Sequence, residues 1–166
     1  MGQELDQFAV RFLTGRINWR HGIPRYGAIR NFGNIVSMVL YHKPPFQVEL
    51  FIVPHDTSTF TEHRHPDVNV YEFHLTGDAV LYRDGVAMAT PEYVQQWING
   101  TVEASLIPIP PTCVHSGMGF TPYAFLSIQE WLNDVHPTSV GLNWIGAPSS
   151  DEQQIMWAND ASVPVS

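Results

Sequence analysis

The sequence contains little cysteine and few charged residues. Its single cysteine, Cys113, allows no disulfide within the chain, so the fold does not depend on an oxidising compartment. No apolar run reaches the ~18 residues that a transmembrane helix requires. The first residues also lack the basic and then apolar pattern of a secretory signal. We therefore expect a cytoplasmic protein that does not enter a membrane.

Several motifs that define enzyme classes are missing as well. There is no Gly-x-Ser-x-Gly elbow, no glycine-rich phosphate loop, and no thiol-enzyme signature around Cys113. The net charge of −8 argues against nucleic acid as a partner. Six of the eight basic residues lie in the first 43 positions, but they are spaced singly. We interpret them as partners of the acidic remainder of the chain or of a second subunit.

The chain is rich in apolar and aromatic residues. They make up 44% and 12% of 166 residues, which suits one domain with a packed core. Apolar positions 5, 8, 9, 12 and 13 predict a helix over residues 3–14 that ends at Gly15. From residue 34 the pattern changes to strands, which we predict at 34–41, 46–53, 79–82, 102–109 and 125–132.

Shorter segments connect and flank these elements. Asp84-Gly85 is typical of a hairpin turn. Residues 90–98 begin with Thr and Pro, which predicts a short helix inserted between strands. The segment 15–33 is irregular, and the chain from residue 137 is polar and interrupted by Gly and Pro. We expect both segments to pack on the outside of the strands.

Residues 60–77 carry a group of polar side chains at strand spacing. His63 and His65 are two apart, so in a strand they point to the same face. The Pro-Asp-Val-Asn run at 66–69 predicts a tight turn. A hairpin about that turn would place His63 opposite Glu72 and would direct both, together with His65 and His74, from one face. Imidazoles and a carboxylate that converge in this way suit a divalent transition metal.

A third imidazole, His115, follows a second apolar segment that is rich in proline, residues 107–114. If the sheet curls into a barrel, His115 would close the metal site. Glu49 and Gln129 lie on predicted strands that reach the same cavity. The alternative is a set of incidental or core histidines, because a His-x-His pair alone arises easily by chance among eight histidines.

These segments resemble the two motifs of the cupin superfamily of small β-barrels. His63, His65 and Gly77 match the first motif, which is His-x-His, a short loop, a Glu and a later Gly. Pro110 and His115 match the second, Pro-x-Gly-x-x-His followed by an Asn. The resemblance covers residues 34–132 and implies an all-β, cupin-type β-barrel (double-stranded β-helix or jelly roll) with a short N-terminal helix. Residues 1–33 would then form the helix and an arm, and 133–166 a tail, both packed on the barrel.

The chain departs from the cupin motifs at several positions. Val70 stands where the Glu of the family is commonest, and Glu72 comes two residues later, on the same face of a strand. Thr112 replaces the Gly of the second motif, and Gly119 replaces its Asn. Two ligand sets therefore stay open. One contains Glu72, and the other is the three-histidine centre of cysteine dioxygenase-like cupins.

The resulting hypothesis is a metal-dependent enzyme that acts on a small organic molecule. One divalent transition metal, Fe, Mn, Ni or Zn, would be held by His63, His65, His115 and Glu72. We favour an oxygenase over an isomerase, a lyase or a cyclase of the same fold. His74 and Glu72 are the candidate catalytic residues, as acid, base or orienting group. The alternative is a non-enzymatic barrel that binds a small ligand or takes part in an assembly.

The oligomeric state is predicted from the strand that carries Glu72 and His74, on the face opposite to these two residues. Tyr71, Phe73 and Leu75 alternate with the proposed ligands, so they point outward and must be covered. The helix at 3–14 would cover them within one chain or across a two-fold axis. We favour the second arrangement and therefore a homodimer.

Overall fold

The computed structural model describes residues 1–17, 29–32, 35–54, 59–88, 90, 102–133 and 143–146. This part of the chain contains one α-helix, α1 (Gln3–Leu13), and eleven strands. The strands are β1 (Ile29–Phe32), β2 (Ile35–Lys43), β3 (Phe46–Val53), β4 (Thr59–Arg64), β5 (Val68–Thr76), β6 (Ala79–Arg83), β7 (Val86–Met88), β8 (Ile107–Ile109), β9 (His115–Gly119), β10 (Tyr123–Trp131) and β11 (Asn143–Trp144).

The strands pair antiparallel in two sheets. The first sheet has six strands in the order β1-β2-β3-β10-β5-β8, and the second has five in the order β11-β4-β9-β6-β7. Strands that are distant in sequence are neighbours in both, because β10 lies between β3 and β5 and β9 lies between β4 and β6. Side chains from both sheets line one pocket. The prediction of an all-β barrel with a short N-terminal helix is confirmed.

The predicted hairpin within residues 60–77 is wrong. A turn does form, with the amide of Val68 donating to the carbonyl of His65 at 3.3 Å. However, β4 and β5 belong to different sheets, so His63 does not pair with Glu72. The chain crosses from one sheet to the other at this turn because each strand finds its partner elsewhere. Strand β4 pairs with β9, and β5 pairs with β10 and β8.

Helix α1 covers the outer face of the six-stranded sheet. Its apolar side packs Leu5 and Phe8 into a buried cluster with Phe73, which is fully buried. The hydroxyl of Tyr71 donates to Asp6 of α1 at 2.7 Å. The face that motivated a homodimer is thus covered by the helix of the same chain, and it does not support a homodimer. Among the described helices, none is long and apolar enough to cross a membrane.

Other boundaries differ from the predictions in detail. The predicted strand 102–109 is shorter, because residues 103–105 form a 3-10 turn before β8. Strand β9 was not predicted, and part of the predicted tail adds β11 to the edge of the second sheet. The hairpin at Asp84-Gly85 is confirmed between β6 and β7. The predicted helix at 90–98 and most of the segments 15–33 and 133–166 lie outside the described residues.

Candidate metal centre

Three histidines meet on the inner face of the five-stranded sheet. His63 on β4 is the direct partner of His115 on β9, so the two side chains point to the same side of the sheet. Their ring centroids are 4.2 Å apart, and the ring of His65 lies 5.0 Å from each of them. One ring nitrogen from each histidine lies within 4.8 Å of the others, a spacing at which one ion can be shared.

Two of the rings are oriented by backbone carbonyls. The Nδ1–H of His63 donates to the carbonyl oxygen of Thr61 at 2.6 Å. His115 Nδ1 faces the carbonyl of Cys113, also two residues earlier in the chain, at 3.5 Å. A ring that donates from Nδ1 keeps an unprotonated Nε2, which is the form that binds metals. The two strands therefore present their histidines in the same tautomer.

The environment of His115 fits a metal ligand. This residue is 2% exposed, and its Nε2 atom is buried without a hydrogen-bond partner in the described part of the chain. Buried polar atoms are normally paired, so such an atom calls for an explanation. Burial, and then the neighbouring His63, lowers the pKa of His115 to about 3. The imidazole is therefore neutral at physiological pH, as a ligand must be. The donor set and its surroundings fit one divalent transition metal.

Glu72 reaches the centre from the opposite wall. It lies on β5 of the six-stranded sheet, and its Oε1 is 3.8 Å from His115 Nε2. Among the described residues, the three histidines form a group whose possible ligand atoms all lie within 4.8 Å of one another, and Glu72 is not part of this group. Burial raises the pKa of Glu72 to about 7. Glu72 thus stands beside the histidines as predicted, although by facing across the barrel and not by pairing within a hairpin. Its role as a ligand stays a prediction.

His74 lines the same pocket and is held by the backbone. Its Nε2–H donates to the carbonyl oxygen of Gly77 at 2.6 Å, and the residue is 5% exposed. Gly77 has a φ of +89°, and a Cβ added there would lie 2.1 Å from the carbonyl oxygen of Pro122. Only glycine fits this turn. The bond to Gly77 fixes the ring of His74, and its catalytic role stays a prediction.

The wall of the six-stranded sheet adds a polar surface to the pocket. Glu49 on β3 and Gln129 on β10, both expected near the cavity, line it together with Gln47 and Ser127. Sequence analysis did not single out Gln47 and Ser127. The alternation in β3 predicted a strand but did not mark Gln47 as a pocket residue, because both faces are buried here: Gln47 is 2% exposed in the pocket, and Val48 is fully buried on the side of α1.

One end of the pocket is aromatic. The rings of Phe51 and Phe125 stack with centroids 5.2 Å apart, and Phe60 meets both rings edge-on. Phe60 precedes the histidines on β4, whereas the other two rings lie on the opposite sheet. Cys113 does not line this pocket and is buried in an apolar cluster.

Comparisons with known proteins agree with this architecture. No protein-family model and no curated protein sequence matches the chain. Solved structures do match. PAC13 from Streptomyces, in a structure with uridine, has a TM-score of 0.53 at 16% identity, over 79% of this chain and 94% of that chain. KdgF from Halomonas sp. has a TM-score of 0.51 at 13% identity, over 71% and 93% of the two chains.

A third match has the same architecture. An RmlC-like cupin from Shewanella frigidimarina has a TM-score of 0.51 at 14% identity, over 65% of this chain and 86% of that chain. The chain therefore has the cupin fold, a double-stranded β-helix. The resemblance seen in residues 34–132 is confirmed at the level of the fold. At these identities the fold does not carry an activity with it, and function has to be argued from the site.

Proposed function

We propose that the chain is a metal-dependent enzyme that acts on a small organic molecule in the pocket between the two sheets. The observation that carries this proposal is the set of His63, His65 and His115, whose ring nitrogens lie within 4.8 Å of one another on the pocket wall. Small-molecule binding is supported by the similar fold of PAC13, which was solved with uridine.

A bound Fe, Mn, Ni or Zn ion would polarise an oxygen atom of the substrate or, for a redox-active metal, support chemistry with dioxygen. Side chains of the protein would exclude water from the pocket and transfer protons. The aromatic rings at one end of the pocket would limit the access of water, and imidazoles, which bind a metal in their neutral form, would add no charge of their own. Glu72 lies 3.8 Å from His115 on the opposite wall, where it can hold or move a proton beside the reacting atoms.

Within this class we place an oxygenase first, because the three-histidine centre resembles that of cysteine dioxygenase-like cupins. A proton-transfer enzyme, an isomerase or a lyase, is the second candidate. It is favoured by the position of Glu72, because this carboxyl lies 3.8 Å from His115 Nε2 on the opposite wall, where it could accept and return a proton beside a bound substrate. A non-enzymatic ligand-binding barrel would use the same pocket without turnover.

Two measurements on one preparation test the proposal. Elemental analysis of the purified protein, reloaded in turn with each of the four metals, should find one equivalent of metal per chain. A panel of small organic molecules is then supplied to the loaded protein and to a chelator-treated sample, with oxygen uptake and product formation followed together. Oxygen uptake matched to product identifies an oxygenase, and product formed without oxygen identifies the second candidate. Failure to hold any of the four metals would refute the proposal.

A further inference from the structure

A chain of buried hydrogen bonds runs along the wall of the six-stranded sheet. The indole Nε1–H of Trp131 donates to Gln129 Oε1 at 3.0 Å, and Gln47 Nε2 donates to the same oxygen at 3.4 Å. Because an indole N–H can only donate, the oxygen end of the Gln129 amide must face Trp131. The Nε2 end of the amide then faces Ser127 and donates to Ser127 Oγ at 3.0 Å. Trp131 therefore sets the direction of the bond to Ser127.

The same chain of bonds orients the hydroxyl of Ser127. A hydroxyl carries one proton, and Ser127 Oγ already accepts a hydrogen bond from Gln129. The proton of the Ser127 hydroxyl must therefore point away from Gln129. Since Ser127 lines the pocket, this hydroxyl can serve as a hydrogen-bond donor to a molecule bound there.

The side chains beside Ser127 are longer and leave a gap above its hydroxyl. Ser127 on β10 is the direct partner of Glu49 on β3 and of Glu72 on β5, so the three side chains form one row across the sheet. Glu72 extends until its Oε1 lies 3.8 Å from His115 Nε2, whereas the serine side chain ends at Oγ. An oxygen atom of a molecule in this gap would meet the Ser127 hydroxyl close to the histidines.

An aromatic surface lies next to this donor. Phe125 precedes Ser127 by two residues on β10, so both side chains point to the same face, and both line the pocket. The ring of Phe125 stacks on Phe51 and meets Phe60 edge-on. A bound molecule can therefore place an oxygen atom over Ser127 and a flat or hydrocarbon portion against these rings.

We propose that Ser127 binds an acceptor oxygen of the substrate, and that Gln129 is the positioning residue that orients the Ser127 hydroxyl. The substrate is accordingly a molecule with a carbonyl, hydroxyl or ether oxygen next to an apolar portion. This inference rests on the proposed function, since it concerns the substrate of the same site.

Acetophenone and ethylbenzene are a matched pair of probes, because they are similar in size and differ in a carbonyl oxygen. Titrations followed by nuclear magnetic resonance would measure their binding to the full chain, both loaded with Zn²⁺ and treated with a chelator. We expect Ser127→Ala to weaken the binding of acetophenone by roughly 3- to 10-fold, because a single hydrogen bond is lost, and to leave that of ethylbenzene unchanged. The control is Thr76→Val, which removes an exposed hydroxyl outside the pocket and should change neither affinity.

A substitution of Gln129 tests its positioning role. A carboxylate at position 129 can accept from Trp131 but cannot donate to Ser127, so the Ser127 hydroxyl would turn toward the carboxylate. Gln129→Glu should therefore weaken the binding of acetophenone as much as Ser127→Ala does, and the double variant should show no further loss. The carbonyl stretch of acetophenone bound to the chelator-treated protein is a second readout, because a hydrogen bond to the carbonyl lowers its frequency. This frequency should be higher in both single variants than in the wild type.

The outcomes separate this inference from the proposed function. Acetophenone that binds equally to the wild type and to Ser127→Ala would overturn the inference, as would no binding of acetophenone at millimolar concentration. If the variants do not fold, the wild type decides: a carbonyl stretch at the frequency measured in dry hexane overturns the inference, and a lower frequency supports it. Metal content is measured on the same samples. A chain that holds no metal but binds acetophenone through Ser127 would contradict the proposed function and support this inference.

Discussion

His63 and His115 are direct cross-strand partners, and their ring centroids lie 4.2 Å apart on the inner wall of the barrel. His63 donates from Nδ1 to the carbonyl of Thr61, and the Nδ1 of His115 faces the carbonyl of Cys113, so the remaining ring nitrogens are left for a shared ion. Replacing His115 with Ala should lower the metal content to less than one equivalent per chain, because the two remaining histidines form a weaker site. Full occupancy in this variant, measured by elemental analysis, would contradict the three-histidine site. His42→Ala is the control and should keep the metal, since His42 lies outside the pocket and contacts Gln47 at 2.8 Å.

Removing the charge of Glu72 tests its contact with the centre. Glu72 Oε1 lies 3.8 Å from His115 Nε2, so Glu72→Gln should weaken metal binding by roughly 10- to 100-fold, whether Glu72 is a ligand or orients one. Competition with a chelating dye would measure the affinity. Glu62→Gln serves as the control, because Glu62 is exposed and points away from the histidines. Unchanged affinity in Glu72→Gln would restrict Glu72 to proton transfer or substrate binding.

The packing of α1 on the six-stranded sheet should dominate stability. Phe73 is fully buried beneath α1, so Phe73→Ala should lower the free energy of unfolding by about 3–5 kcal/mol. Phe120 is 53% exposed, and Phe120→Ala should change that free energy by no more than about 0.5 kcal/mol. Urea unfolding followed by circular dichroism would compare the two variants. Equal effects would show that the helix does not pack on Phe73 in solution.

Stability should fall in alkaline solution through Tyr71. Burial, and then the hydrogen bond and charge of Asp6, raises the pKa of Tyr71 above its usual value of 10. The unfolded chain therefore loses the Tyr71 proton at a lower pH than the folded chain does. The stabilisation is fully present below pH 10 and is lost as the pH rises toward the pKa of the folded protein. The free energy of unfolding of Tyr71→Phe should therefore depend less steeply on pH above 10 than that of the wild type. Parallel slopes in the two proteins would contradict the environment described for Tyr71.

Two glycines in left-handed turns provide a matched pair. Gly85 has a φ of +78° with nothing within 4 Å of an added Cβ, so Gly85→Ala should cost only the backbone strain of about 1–2 kcal/mol. Gly77 has a φ of +89° and no room beside Pro122, so Gly77→Ala should cost more. Thermal unfolding of both variants would measure the difference. Similar melting temperatures would show that the turn at Gly77 relaxes without cost.

The features that depend on the local sequence pattern could be predicted from the sequence. The spacing of Leu5, Phe8 and Ala9 predicted α1, and the side of it that is buried in the structure is the predicted one. The His-x-His pair and His115 were recognised as candidate ligands because imidazole spacing and the resemblance to cupin motifs are visible in the chain itself. These residues do meet in the structure.

Pairing between strands was not predictable in the same way. The turn after His65 suits a hairpin, and short-range chemistry cannot distinguish a hairpin from a crossing between sheets. Strands β9 and β10, which lie far along the chain, decide between the two arrangements. They pair with β4 and β5, respectively, so β4 and β5 do not pair with each other. Glu72 reached the predicted neighbourhood because a strand on either wall of a narrow barrel directs the same alternate residues inward.

The strand orders also bear on how the chain is made in the cell. Strand β10 fills the position between β3 and β5, and it is the last of the six strands of its sheet to be synthesised. Strand β9, which carries His115, fills the position between β4 and β6 in the other sheet. Until residues 115–131 leave the ribosome, the edges of four strands have no partner, and such edges promote aggregation. A chain that ends prematurely before residue 115 would have neither closed sheets nor the third histidine, so the proposed metal site would form only after this part of the chain has been made.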